Sequence, residues 1–73
     1  MDIEMISGMA VKSLSKGVMI AHNHPSGNTT PSDADKNITK QLYQALKLFN
    51  ITLLDSIILT EDSYLSFANE GLL

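Results

Sequence analysis

Four side chains between residues 22 and 35 are of types that bind metal ions and move protons: His22, His24, Ser32 and Asp35. In an extended segment residues i and i+2 project to the same face, so His22 and His24 can reach one ion together. They follow the apolar run 17–21, which predicts a buried strand with both histidines at its carboxyl end, where α/β sheets usually bind ligands. Ser32 has the character of a helix N-cap, which places Asp35 in the first helical turn. Two imidazoles and one carboxylate make three protein ligands, the number typical of a catalytic zinc site that keeps its fourth position for water.

Each of these residues also has a simpler structural explanation. A His-x-His pair in a loop is more often two solvated or hydrogen-bonded imidazoles than a metal site. Asp35 suits a favourable charge at a helix N-terminus, and Ser32 suits the cap itself. Ser26, beside His24, lacks the strained turn and the third orienting residue that a Ser–His nucleophile pair requires. The spacing of the whole set, rather than any single residue, therefore favours the metal site.

The spacing His-x-His-x(7)-Ser-x(2)-Asp, with Pro-Ser-Gly directly after the second histidine, resembles the core of the JAB/MPN (JAMM) metalloprotease motif. The block 20–39 is similar to the bacterial RadC-like family, whose members are named as DNA repair proteins. The likeness covers nearly the whole chain, because the segments 54–58 and 64–67 are also similar.

This resemblance implies an α/β fold of the JAB/MPN-like (cytidine-deaminase-like) type, a layered sheet with helices. It implies a hydrolase in which Zn²⁺, held by His22, His24 and Asp35, activates a water for attack on an amide or isopeptide bond of an unidentified peptide substrate. In the family Ser32 would hold that water or donate to the developing oxyanion. The chain is expected to be a single partial domain, residues 1–73, truncated at its N-terminal side relative to the family pattern.

Two departures from the family pattern bear on activity. JAMM-type enzymes use a glutamate on an upstream strand as general base, and Glu4 falls within a predicted helix, so we expect that base to be absent from this chain. Ser56 also stands where the RadC-like pattern usually has histidine. A catalytically silent zinc-binding interaction module is therefore the alternative to a hydrolase, and a DNA-repair-associated factor is a third.

Periodicity and turn residues predict the order helix-strand-loop-helix-strand-strand, an α/β layered pattern. The predicted elements are a helix over 2–16, a strand over 18–22, a helix over 33–49 that stops at Asn50, a strand over 51–60, a turn over 61–63 and a strand over 64–68.

Composition limits the remaining functions. The chain has 73 residues and no cysteine, so it forms at most one small domain without disulfides or thiolate zinc ligands. No apolar run reaches the roughly 20 residues that span a membrane, and no signal peptide is visible, so we expect a cytoplasmic protein. A net charge of −3 does not support DNA binding. A short chain with an open sheet edge is expected to form a homo-oligomer through that edge.

Overall fold

The computed structural model describes residues 3–6, 9–24 and 27–73, with side chains described from residue 9 onward. Five strands and one helix account for most of these residues. The elements are β1 (Ile3–Ile6), β2 (Met9–Leu14), β3 (Gly17–Asn23), α1 (Asp33–Leu48), β4 (Leu53–Leu59) and β5 (Tyr64–Ser66).

The strands form one mixed sheet in the order β1-β2-β3-β4-β5, with β1 and β5 at its edges. Strands β3 and β4 are parallel and the other neighbouring pairs are antiparallel. Parallel neighbours require a crossover connection, and α1 supplies it between β3 and β4. The register places Ile20 beside Ser56 and His22 beside Ile58, so the strand that carries His22 lies against the strand that carries Ser56.

The predicted helix over 2–16 is wrong, because strands β1 and β2 occupy that segment. Residues 9–14 pair one to one with 22–17 of β3, and a two-residue turn at 15–16 joins the two strands. The apolar spacing of the segment suits a helical face, but the backbone groups of β3 gain a full set of partners when β2 pairs with them. Glu4 accordingly lies in edge strand β1 rather than in a helix. Asp2 and Gly8, which the predicted helix included, lie outside the described residues.

The helix predicted over 33–49 is confirmed as α1, and both of its ends carry sequence-encoded caps. Ser32 and Asp35 form a capping box at the first turn. At the other end Asn50 has a φ of 60°, and the N–H groups of Asn50 and Ile51 donate to the carbonyls of Lys47 and Leu46. This pair of bonds is a Schellman motif, and Asn50 ends the helix as predicted.

The core lies between α1 and the sheet and consists of Ile20, Leu53, Ile58 and Phe67. The helix face predicted to be buried is only partly so: Leu42 and Leu46 are half-buried, whereas Phe49 is 75 % exposed. Phe49 is the C-cap residue, beyond the last turn that reaches the sheet.

The Asp55 carboxylate ties β4 to the turn that follows β5. It accepts hydrogen bonds from the hydroxyl of Ser66 at 2.5 Å and from the backbone N–H groups of Ser56 and Ala68 at 2.8 and 3.0 Å. Three donors on one carboxylate satisfy most of its acceptor capacity, so we assign Asp55 a structural role.

The strands predicted over 18–22, 51–60 and 64–68 are present as β3, β4 and β5 with shifted ends, and β4 and β5 form the expected hairpin. In the described part of the chain, α1 lacks the length and apolar character needed to cross a membrane.

Candidate metal centre

The two histidines are held at the carboxyl end of β3 by backbone pairing. His22 is the sixth residue of β3 and lies beside Ile58 of β4. The N–H of His24 donates to the carbonyl of Leu59 at 2.9 Å, which continues the pairing with β4 beyond the end of the strand. Gly27 N–H then donates to the carbonyl of His24 at 3.1 Å, so the chain turns directly after the second histidine. The i and i+2 spacing thus places both imidazoles at one end of the central strand pair.

The His24 ring is oriented by a backbone carbonyl. Its Nδ1 lies 2.9 Å from the carbonyl oxygen of Asn28. A carbonyl oxygen only accepts hydrogen bonds, so Nδ1 carries the hydrogen and, in the neutral ring, Nε2 carries a lone pair. That Nε2 lies 3.1 Å from Oδ2 of Asp35. A lone pair this close to a carboxylate oxygen is unfavourable unless a positive charge, either a proton or a metal ion, lies between the two atoms.

Asp35 is fixed by the capping box at the start of α1. Its Oδ2 accepts the backbone N–H of Ser32 at 2.8 Å, and its own N–H donates to Oγ of Ser32 at 3.0 Å. Burial alone would raise the pKa of Asp35, but the hydrogen bonds with Ser32 and the His24 imidazole outweigh it and lower that pKa below 3.8. The carboxylate is therefore ionised at neutral pH and faces both histidines.

His22 approaches the same carboxylate from β3. Its Nδ1 lies 3.6 Å from Oδ1 of Asp35, beyond hydrogen-bond distance. Its Nε2 is buried and, among the described residues, has no hydrogen-bond partner. A buried polar atom without a partner costs about 1–3 kcal/mol. The site therefore contains one ring nitrogen whose bonding capacity is not used by any of the residues that the structure describes.

The structure brings His22, His24 and Asp35 together, as the spacing predicts, and places Ser32 next to Asp35. Across residues 9–24 and 27–73, however, no three His, Cys, Asp or Glu side chains already have an arrangement that could hold a metal ion. Ser26 and Pro25 lie outside the described residues. The metal-ligand roles of the three residues and the catalytic role of Ser32 stay predictions.

A cleft of about 700 Å³ lies beside His24, and of the residues in the candidate centre only His24 lines it. The other lining residues are Asn23, Gly27, Leu59, Thr60, Glu61 and Asp62. No local sequence signal links Glu61 and Asp62 to this cleft, because they belong to the β4–β5 turn, 37 and 38 positions beyond His24 in the sequence. The parallel pairing of β3 with β4 brings this turn to the same end of the sheet.

Ser56, the residue that departs from the RadC-like pattern, lies in the core between β4 and α1. It is 1 % exposed, and its Oγ lies 3.1 Å from Oγ1 of Thr39, which is 2 % exposed. Thr39 follows Asp35 by one helical turn, so Ser56 contacts the helix that carries Asp35 rather than the candidate centre itself. The departure at Ser56 is visible in the sequence, but its contact with Thr39 is visible only in the structure.

Residues 1–72 match the family model described as a RadC-like JAB domain. Curated relatives named UPF0758 protein are similar to the chain over most of its length. The Flavobacterium johnsoniae protein is 38 % identical over 71 residues, which cover 97 % of the chain and 31 % of the relative. The Aquifex aeolicus protein is 48 % identical over 64 residues, covering 88 % and 28 %. UPF0758 protein YfjY of Escherichia coli is 55 % identical over 56 residues, covering 77 % and 35 %. The chain thus spans about a third of the length of these relatives.

Proposed function

Because the chain belongs to the RadC-like JAB domain family, we propose that it carries the metal-binding part of a zinc-dependent hydrolase that acts on amide or isopeptide bonds. The observation that carries the proposal is the approach of His22 and His24 to the two oxygens of Asp35, at 3.6 and 3.1 Å. A set of two imidazoles and one carboxylate is the ligand set of several catalytic zinc sites.

Three features of these residues fit a zinc ion. The Asn28 carbonyl accepts the hydrogen of Nδ1 of His24 and leaves the lone pair of Nε2 for a metal ion, as carbonyls beside zinc-bound histidines do. The buried Nε2 of His22 lacks a protein partner in the described structure. Asp35 is ionised, and a positive charge is needed between it and the ring of His24.

When bound, zinc would supply Lewis acidity and a water nucleophile that is ionised near neutral pH. The chain's own residues supply orientation. The capping box holds Asp35, and β4 holds the backbone of His24. Ser32 accepts one hydrogen bond through Oγ, and its hydroxyl hydrogen is chemically able to donate to a developing oxyanion. The cleft beside His24 offers room for a peptide segment.

The family's general base limits what this chain does alone. Glu4 lies in edge strand β1, with β2 between it and β3, so a helical location no longer argues against it, but no counterpart of the family's base glutamate is assigned in this sequence. General acid–base assistance contributes typically 10²- to 10⁴-fold, so we expect zinc binding by the chain with slow turnover.

The test is hydrolysis of quenched-fluorescence peptides with an internal lysine isopeptide bond. The zinc-loaded chain is compared with a chimera that adds the upstream residues of the Flavobacterium johnsoniae relative. We expect activity in the chimera that is lost in its His24→Ala variant. A zinc-loaded chimera that hydrolyses neither amide nor isopeptide substrates would overturn the hydrolase and leave the silent zinc-binding module.

The DNA-associated alternative has less support. The charge of −3 opposes binding to a phosphate backbone, and the curated relatives are named only as UPF0758 proteins. Titration of labelled duplex DNA at low salt tests it, and we expect no saturable binding.

A further inference from the structure

A groove of about 510 Å³ runs between α1 and the C-terminal residues, away from the β4–β5 turn that lines the cleft beside His24. We call it the lysine groove. Its lining includes Lys36, Lys40, Tyr43 and Lys47 of α1 and, near the C-terminus, Leu72 and Leu73.

The four helix residues form one continuous stripe. At 3.6 residues per turn, Lys36, Lys40, Tyr43 and Lys47 lie within about 60° of one another around the helix axis. At 1.5 Å per residue the stripe is about 16 Å long. These three lysines and Tyr43 therefore stand in one row beside the groove for most of the length of α1.

Within the described structure none of these lysines forms an ion pair. The chain has a net charge of −3 and five lysines, three of which line the groove. None of the residues lining it is acidic. In the described part of the chain the ion pairs found are His22–Asp35 and His24–Asp35, so these three lysines have no acidic partner there.

The opposite wall is apolar and accessible. Leu72 and Leu73 are 41 % and 42 % exposed, and Tyr43 on the helix side is 38 % exposed. A ligand that fills the groove therefore meets ammonium groups along one side and leucine side chains along the other. An extended peptide has this character when acidic and apolar residues alternate, because its successive side chains point to opposite sides.

We propose that the lysine groove binds an acidic peptide segment in which apolar side chains alternate with carboxylates. Charge complementarity favours a carboxylate-bearing partner, and the leucine wall favours a peptide over a nucleic acid, whose sugar-phosphate backbone offers it no apolar side chains. The inference does not depend on metal binding or hydrolysis.

The test is fluorescence anisotropy with a labelled short peptide of alternating glutamate and leucine. The comparison variant is the triple substitution Lys36→Gln/Lys40→Gln/Lys47→Gln, and the control is Lys12→Gln/Lys16→Gln, which removes lysines outside the groove. Circular dichroism checks that each variant is folded. We expect saturable binding that weakens with salt, about tenfold or more loss of affinity in the triple variant, and little change in the control.

Four results would overturn the proposal, three from binding measurements and one from sedimentation. The first is no binding of the peptide at low salt, and the second is an equal loss of affinity in both variants, which would mean unspecific charge attraction. The third is tighter binding of a single-stranded DNA of similar length. A second copy of the chain, with Glu61 and Asp62 as its acidic segment, is the competing occupant. Sedimentation that shows self-association of the wild type, lost in the triple variant, would assign the groove to that copy instead.

Discussion

Replacing Ser32 with alanine tests the link between the fold and the candidate centre. In the native chain Oγ of Ser32 accepts the N–H of Asp35 at 3.0 Å, and the backbone N–H of Ser32 donates to Oδ2 of Asp35 at 2.8 Å. Ser32→Ala removes the first bond and leaves the second in place. The helix then begins with one unsatisfied donor, and the residue that carries that donor is the proposed carboxylate ligand.

The expected cost follows from N-cap substitutions in general. Replacement of a serine N-cap by alanine lowers the free energy of unfolding by about 1 kcal/mol, and replacement by glycine by only a few tenths. In a domain of this size, about 1 kcal/mol corresponds to a decrease of roughly 4–8 °C in Tm. We therefore expect Ser32→Ala to melt several degrees below the wild type and Ser32→Gly to melt close to it.

The measurement is thermal unfolding followed by circular dichroism without added zinc, with urea unfolding as a check on the free energy. Both variants lack the hydroxyl, so their difference reports how well each backbone suits the N-cap position, whereas the comparison of wild type with Ser32→Ala reports the loss of the cap. If Ser32→Ala melts at the wild-type temperature, the 3.0 Å bond contributes nothing and the reasoning about how α1 begins is refuted.

The glycine variant also separates the two roles of Ser32 in the active chimera. If the hydroxyl donates to the oxyanion, Ser32→Gly keeps the fold and loses about 10²- to 10³-fold in kcat, the usual cost of removing one such donor. If kcat is unchanged in Ser32→Gly, Ser32 is only a cap.

Three further predictions concern stability. Gly17→Ala places a Cβ 2.2 Å from the carbonyl oxygen of Thr52, so urea unfolding should show a loss of about 1–3 kcal/mol; wild-type stability would contradict the close approach. Ser56→Ala leaves the buried Thr39 hydroxyl without its partner and should cost about 1–3 kcal/mol, whereas adding Thr39→Val should cost less than the sum of the single changes; strict additivity would contradict the coupling. The pKa of Asp35 is lower in the folded chain than its ordinary 3.8, so its contribution to stability is present above that pH and is lost as the pH falls below it; Asp35→Asn should weaken this acid sensitivity in pH-dependent melting, and an unchanged profile would contradict it.

The parts of the fold that the sequence predicts correctly are those with local chemical signals. The start of α1 is set by the capping residues Ser32 and Asp35, and its end by the left-handed Asn50. Each of these residues makes its hydrogen bonds to residues close to it in sequence. The β-branched run in 51–60 gives β4 for the same reason. Residues i and i+2 of an extended segment project to the same face, so the spacing of His22 and His24 is enough to predict that their side chains lie together.

The parts that were missed depend on partners distant in sequence. Residues 9–14 have a helix-like apolar spacing, and only their pairing with β3 makes them a strand. The exposure of Phe49 depends on how far the sheet extends beneath α1, which the helical period does not reveal. The contact of Thr39 with Ser56, 17 positions apart, likewise requires the α1 crossover to be in place.

Zinc stoichiometry is the measurement that tests the central proposal most directly. The purified chain is dialysed against zinc and its metal content measured beside His24→Ala and Asp35→Ala, with Asp33→Ala as a control acidic residue in the same helical turn. We predict one zinc per chain in the wild type and in Asp33→Ala, and none in the other two variants. A folded wild-type chain that holds no zinc, or equal zinc content in all four proteins, would contradict the proposed metal centre.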